Sequence, residues 1–187
     1  LYSSAASDVY KRQFLTCNLG KRSLTLNLKH PSAKEIIFKL TETSDAVVEN
    51  FKPGTIEKLG FGYESLKSIK PDIVYASISG YGQSGPRANL PAFDGAIQAS
   101  SGMMAISGHK ETGPVRTGYF SVDMSTALNA AFAISAALFR RHLTGEGQRI
   151  DVSMMDSAAM MQAPQISNYL VSGEIPDLIG NQSPTKQ

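Results

Sequence analysis

The chain has 187 residues, 42% of them hydrophobic, and 18 Lys+Arg against 16 Asp+Glu give a formal net charge of +2. That is enough apolar material for one compact domain and excludes a disordered chain. It also argues against a strongly cationic nucleic-acid or membrane binder, because no basic run exceeds Lys11-Arg12, Lys21-Arg22 or Arg140-Arg141, while phosphate-bearing small molecules stay open as ligands.

Residues 1–13 (LYSSAASDVYKRQ) lack both periodicity and the charged-then-apolar layout of a signal peptide, and are expected to be a foreign leader. The single Cys17 cannot form an internal disulfide, and His30, His109 and His142 offer no zinc-ligand spacing, so a reducing, cytoplasmic setting without a metal is expected. Leu24, Leu26 and Leu28 alternate with Thr25 and Asn27, which predicts a half-buried strand. Lys29-His30-Pro31-Ser32 then supplies a turn and helix cap. A helix over residues 33 to 43 follows, its Ile36, Ile37 and Leu40 opposite Lys34, Glu35 and Lys39. Ala46-Val47-Val48 reads as a short buried strand, followed by two short helices, one ending at Leu59 and one over Tyr63 to Ile69, and a second buried strand over Ile73 to Ile78.

Between Ala88 and Phe139 the charged residues are Asp94, Lys110, Glu111, Arg116 and Asp123, where the chain-wide 18% would give about nine. This segment is therefore expected to be largely buried. Within it, Ser121 to His142 carries apolar residues around most of a helical circumference and predicts a central helix, closed by Arg140, Arg141 and His142 at the end that favours cations. Its polar interruptions, Asp123, Ser125, Thr126, Asn129 and Ser135, argue against a membrane span. A strand at Arg149 to Ser153 and one helix from Met154 to about Val171 complete the pattern. Strands alternating with helices imply right-handed crossovers and a mainly parallel, doubly wound α/β sheet, with ligands at the carboxyl ends of the strands. Three loops emerge there: Glu49 to Gly54, Ser79 to Pro86, and Thr117 to Asp123.

Asp123 is the one charged residue in the helix from Ser121 to Phe139 and falls in its first turn, with Ser121 as the expected cap. Spacing alone is satisfied by a carboxylate that merely supports the helix start. The competing functional reading is a nucleophile, partly stripped of water, that attacks an activated acyl carbon. Gly80-Tyr81-Gly82-Gln83-Ser84-Gly85 matches G-x-G-x-x-G after a strand, but Pro86 and Pro91 follow instead of a helix, which points to a glycine-rich substrate loop rather than a dinucleotide fingerprint. Glu49-Asn50-Phe51-Lys52-Pro53-Gly54 brings an amide, an aromatic face and a cation to the expected ligand edge. No G-x-x-x-x-G-K-[ST], H-E-x-x-H or G-x-S-x-G occurs, which weakens nucleotide triphosphatase, zinc protease and serine hydrolase readings.

Four segments carry a resemblance: Asn18-Leu19-Gly20-Lys21-Arg22-Ser23, Val48-Glu49-Asn50-Phe51-Lys52-Pro53-Gly54, Ala76-Ser77-Ile78-Ser79-Gly80-Tyr81-Gly82, and Leu143-Thr144-Gly145-Glu146-Gly147-Gln148-Arg149-Ile150-Asp151-Val152. In this order they resemble the family III CoA-transferases, which include formyl-CoA transferase, the carnitine and bile-acid CoA-transferases and α-methylacyl-CoA racemase. The resemblance implies a Rossmann-like large domain, with residues 14–187 as its central part and the small domain absent. It implies that Asp123, in Ser121-Val122-Asp123-Met124-Ser125, is the catalytic aspartate that forms a covalent aspartyl intermediate while CoA moves between carboxylic acids. It places Asn50, Phe51, Lys58, Leu59 and Tyr81 along the CoA cleft, Met154 near it, and Lys21 or Arg22 at the phosphates. CoA and acyl-CoA are then substrates rather than resident cofactors. The partners implied are a carboxylic acid and, for the full-length protein, a second copy in an interlocked homodimer, with no nucleic acid and no membrane.

The racemase carries a His-Asp pair where this chain reads Phe93-Asp94, and Phe93 cannot accept a proton, so transfer is favoured over two-base epimerisation. Asp94 is then expected to be a helix cap. A racemase-like epimerase and a noncatalytic CoA-binding or dimerisation fragment are the competing readings.

Overall fold

A computed structural model of the chain describes residues 14–182, so residues 1–13 lie outside the described part. After a helical stretch over residues 14–18, helix α1 (Pro31–Glu42) starts where the sequence signals require. His30 is its N-cap, its Nδ1 accepting from the Ser32 N–H at 3.3 Å, and Pro31 occupies the first turn, where no N–H is needed. Next come β1 (Ala46–Glu49), the short helices α2 (Thr55–Lys58) and α3 (Tyr63–Lys67), and β2 (Val74–Ser79). After α4 (Asp94–Ser100), a 3-10 turn at Met103–Ile106 and a two-residue hairpin, β3 (Gly108–His109) with β4 (Gly113–Pro114), lead to α5 (Ser121–Thr144). The chain continues through β5 (Gln148–Ser153), α6 (Met154–Met161) and α7 (Ala163–Ser172).

The main sheet runs β1-β2-β5, and both pairings are parallel, in register from Ala46↔Val74 and from Val74↔Gln148. The parallel α/β architecture expected from the alternation is therefore present. β2 lies between the other two strands, and its Val74, Tyr75, Ala76 and Ser77 are fully buried, as a strand covered on both faces requires. The Tyr75 hydroxyl donates to the Phe61 carbonyl at 3.1 Å, so its polar tip is satisfied inside the core.

Three expectations are corrected. The alternating segment Leu24 to Leu28 forms no strand and Leu24 is exposed, because alternation prescribes which face would be buried but supplies no neighbouring strand to pair with. The single helix expected from Met154 to Val171 is two, broken at Gln162. Pro164, in the first turn of α7, cannot donate to Met160 and crowds its carbonyl, while the buried Gln162 side chain donates to the Ser101 carbonyl at 2.8 Å. Helix α5 is not central. Its Ser121, Val122, Thr126, Ala130 and Ala137 face the sheet and α6, whereas Met124, Leu128, Phe132, Phe139 and Leu143 are exposed. By length and composition α5 is the one helix among the described residues that could cross a membrane. Here its inner face is committed to protein packing, and Asn129 donates to the Ser157 hydroxyl of α6 at 3.0 Å.

Candidate active site

The carboxyl ends of all three main strands open onto one cavity of about 660 Å³. Asn50, Phe51, Lys52 and Pro53 enter it from the loop after β1, Ser79 and Gly80 from the end of β2, and Met154 from the residue after β5. Ala88 and the run Leu90 to Phe93 cover one side, and Asp123 projects from the first turn of α5. This is the ligand edge that a parallel sheet predicts.

Local hydrogen bonds fix these loops. Asn50 Nδ2 donates to the Ile78 carbonyl at 2.7 Å, tying the loop after β1 to the end of β2, and the Phe51 N–H donates to Glu49 Oε2 at 2.8 Å. The Gln83 N–H donates to Asp151 Oδ2 at 2.8 Å, which anchors the glycine loop to β5. That loop runs through turns and opens no helix, in agreement with its rejection as a dinucleotide fingerprint. Gly80 is required by close approach: a Cβ there would fall on the Ala92 Cβ of the covering segment.

Asp123 is an exposed residue that borders the cavity, yet its carboxyl is raised above the usual value of 3.8, first by partial desolvation and second by the negative charge of Asp94. The cap of α5 is not Ser121 as expected. Phe120 holds the N-cap position without a side-chain bond, and Ser121 is the first helical residue. Asp94, at the start of α4 and only 4% exposed, supplies the missing acceptor across space. Its Oδ2 accepts from the N–H groups of Val122 at 2.8 Å and Asp123 at 3.1 Å. Asp94 is thus a helix cap, but of α5 rather than of its own helix.

Of the residues singled out from sequence, the cavity brings together Asp123, Asn50, Phe51 and Met154. Tyr81 is half-buried against the cluster of Ile97, Met103, Val122, Met154 and Ala158, and Lys21, Arg22, Lys58, Leu59 and Tyr81 are not among the lining residues. Sequence reasoning missed Gln98 and Thr117, which complete the polar cluster around Asp94. The available signal was the Asp94/Gln98 spacing of four, which puts both on one helix face in a segment otherwise poor in charge. Among the described residues no group of three or more His, Cys, Asp or Glu side chains could hold a metal.

Comparison with known proteins gives this geometry a family context. The family model described as CoA-transferase family III matches residues 3–187. The succinate–glutarate CoA-transferase of Agrobacterium fabrum is 40% identical over 167 residues, covering 89% of this chain and 42% of that protein. The succinyl-CoA:mesaconate CoA-transferase of Haloarcula marismortui is 40% identical over 187 residues, 98% of this chain and 47% of the relative. Among solved structures, a CAIB/BAIF family protein from Brucella suis superposes with a TM-score of 0.86 at 40% identity, over 90% of this chain and 44% of that one. The chain therefore spans less than half the length of the relatives it matches. A parallel sheet whose strand ends meet at Asp123, together with a family match over almost the whole chain, shows that the chain belongs to CoA-transferase family III.

Proposed function

We propose that the full-length polypeptide carrying this chain is an acyl-CoA:carboxylate CoA-transferase with Asp123 as its covalent nucleophile. The observation that carries this reading is the Asp123 carboxyl, raised in pKa and bordering a cavity framed by the ends of three parallel strands. A carboxylate is a weak nucleophile in water; partial desolvation strengthens it, and fixed orientation toward a bound thioester lowers the entropic barrier.

In the first step an Asp123 oxygen attacks the thioester carbonyl of the donor acyl-CoA. The C–S bond breaks, CoA leaves as thiolate, and a mixed anhydride remains on the enzyme. The thiolate attacks the aspartyl carbonyl of that anhydride, which expels the donor acid and leaves an aspartyl-CoA thioester. The acceptor carboxylate attacks this thioester, displacing CoA thiolate and forming a second mixed anhydride. Attack of the thiolate on the acceptor acyl carbon releases the new acyl-CoA and restores the Asp123 carboxylate. Atoms and charge balance without an oxidant, a metal or a net proton.

Asn50, Phe51 and Met154 are assigned to holding CoA, and Lys52 supplies the positive charge in the lining. Dicarboxylates, the acids named for the Agrobacterium and Haloarcula relatives, are the first substrates to assay, because a second carboxylate complements Lys52. Phe93 borders the cavity with a ring that accepts no proton, which favours transfer over epimerisation. The reading includes a homodimer, supported by the exposed apolar strip of α5.

The test is initial-rate kinetics of the full-length enzyme with succinyl-CoA and glutarate, comparing wild type with Asp123→Asn. Asp123→Asn is expected to lower kcat by about a thousandfold or more, the scale of losing a covalent nucleophile. A loss of less than about tenfold, where the nucleophile has been removed, contradicts the covalent role.

A further inference from the structure

Against the start of α5 lies a buried carboxylate, Asp94 of α4, that the transfer chemistry above does not use. Asp94 Oδ2 takes the N–H groups of Val122 and Asp123, and its Oδ1 accepts from Gln98 Nε2 at 2.5 Å. Gln98, 1% exposed, also donates through Nε2 to Thr117 Oγ1 at 2.9 Å and accepts the Thr117 N–H through Oε1 at 2.9 Å. Thr117 Oγ1 in turn donates to the Tyr119 carbonyl at 2.8 Å and lies 3.0 Å from Ser121 Oγ. An unbroken set of hydrogen bonds therefore links α4, the loop from Thr117 to Phe120 and the first turn of α5.

The free N–H groups at a helix start, with the positive end of its dipole, stabilise any carboxylate they can reach. Asp123 sits in that first turn. Left alone, those donors would hydrogen-bond the Asp123 carboxylate, lower its basicity and tie up its lone pairs. Asp94 takes two of these donors instead, at 2.8 and 3.1 Å.

Resting on the proposed transferase reading, we infer that Asp94, braced by Gln98 and Thr117, is a positioning residue for the nucleophile: it occupies the helix-start donors so that the Asp123 carboxylate stays free and correctly aimed. The direction of the Asp123 shift agrees, since the Asp94 charge is its second cause after desolvation. The other charged group in the cavity lining is Lys52, from the loop after β1; Arg116 stands beside Gly95 of α4, and α6 contributes only the uncharged Met154 to the lining. Lys52 and Arg116 are unchanged between wild type and the variants below, so a difference in the acid side of the pH profile reports on what Asp94 does to Asp123.

The experiment uses the full-length enzyme and two variants. Asp94→Asn keeps the shape but sets an amide against the Gln98 amide. The D94N/Q98E exchange turns that pair around: the bond between the two side chains and the bond from the Thr117 N–H are kept, the Thr117 hydroxyl must turn from the Tyr119 carbonyl to the new carboxylate, and the charge moves away from Asp123. The exchange is expected to keep the KM for acyl-CoA within about twofold and lower kcat roughly tenfold, the pattern of a misdirected nucleophile. Its acid limb of kcat/KM is expected to lie at lower pH than in wild type, because removing a neighbouring negative charge makes the Asp123 anion easier to form. Substrate titrations are common to both enzymes and cancel in the comparison. An unmoved acid limb with kcat unchanged overturns the inference. So does failure of both variants to fold by circular dichroism, which assigns Asp94 a purely structural role.

Hydroxylamine trapping of the aspartyl thioester separates this inference from the reading beneath it. No adduct on Asp123 in wild type refutes the covalent mechanism itself. An adduct in wild type that forms equally fast in D94N/Q98E refutes only the role of Asp94.

Discussion

In the proposed mechanism Asp123 is the nucleophile, and its raised pKa also makes it a source of instability. A carboxyl whose folded-state pKa lies above its unfolded value favours the folded state only while protonated; that contribution is present below the unfolded pKa and is lost as pH rises through the folded one. Asp123→Asn, which removes the charge, is therefore expected to abolish transfer while leaving the thermal midpoint at neutral pH equal to or above that of wild type, with the difference vanishing in acid. Scanning calorimetry across pH checks this, and a clear loss of stability at neutral pH would contradict the account. The catalytic profile expected from the proposed mechanism has the opposite sense: with the anion as nucleophile, kcat/KM should fall as pH drops through the raised pKa, at a pH above the ordinary aspartate value of 3.8. At this scale the sequence singles out Asp123, the lone charge between Ser121 and Phe139, and Phe93, and both border the cavity. It was silent about the direction of the Asp94 side chain, because a residue at a helix start reads as the cap of its own helix until the neighbouring helix is placed beside it.

The elements show why boundaries and partners were harder to read than element types. Alternation at Leu24 to Leu28 lacks a pairing strand, and an apolar run from Met154 to Val171 hid a break whose cause, Pro164, was visible in the chain. Both misreadings arise from weighing hydrophobic period above hydrogen-bond supply. The approach of β2 to the covering segment gives a direct test. In Gly80→Ala the new methyl meets Ala92, so the segment from Ala88 to Phe93 must shift outward and the cavity must change shape. The expected outcome is about 1–3 kcal/mol of destabilisation in urea unfolding, with KM for acyl-CoA raised. Unchanged stability and KM would mean that the segment does not rest on Gly80. Ile97→Ala, a fully buried truncation in the cluster with Val122 and Met154, is expected to cost about 2–5 kcal/mol in the same assay.

Seen as a whole, the molecule has a core on one side of α5 and an apolar face on the other. Leu128 is 70% exposed and Phe132 77%, and Met124, Phe139 and Leu143 continue the strip along the helix. The composition of this helix was legible as apolar nearly all round, but which side meets protein is a property of the surrounding chains and not of the helix. The strip is expected to be covered in the full-length protein. Leu128→Glu combined with Phe132→Glu should then lower either its mass in analytical ultracentrifugation or its thermal midpoint, and no change in either would show that the strip is solvated. The most direct test of the central claim is mass spectrometry of the full-length enzyme incubated with acyl-CoA and hydroxylamine, then digested. The account predicts a hydroxamate on the peptide that contains Asp123, absent in Asp123→Asn; transfer activity without any adduct at Asp123 would contradict it.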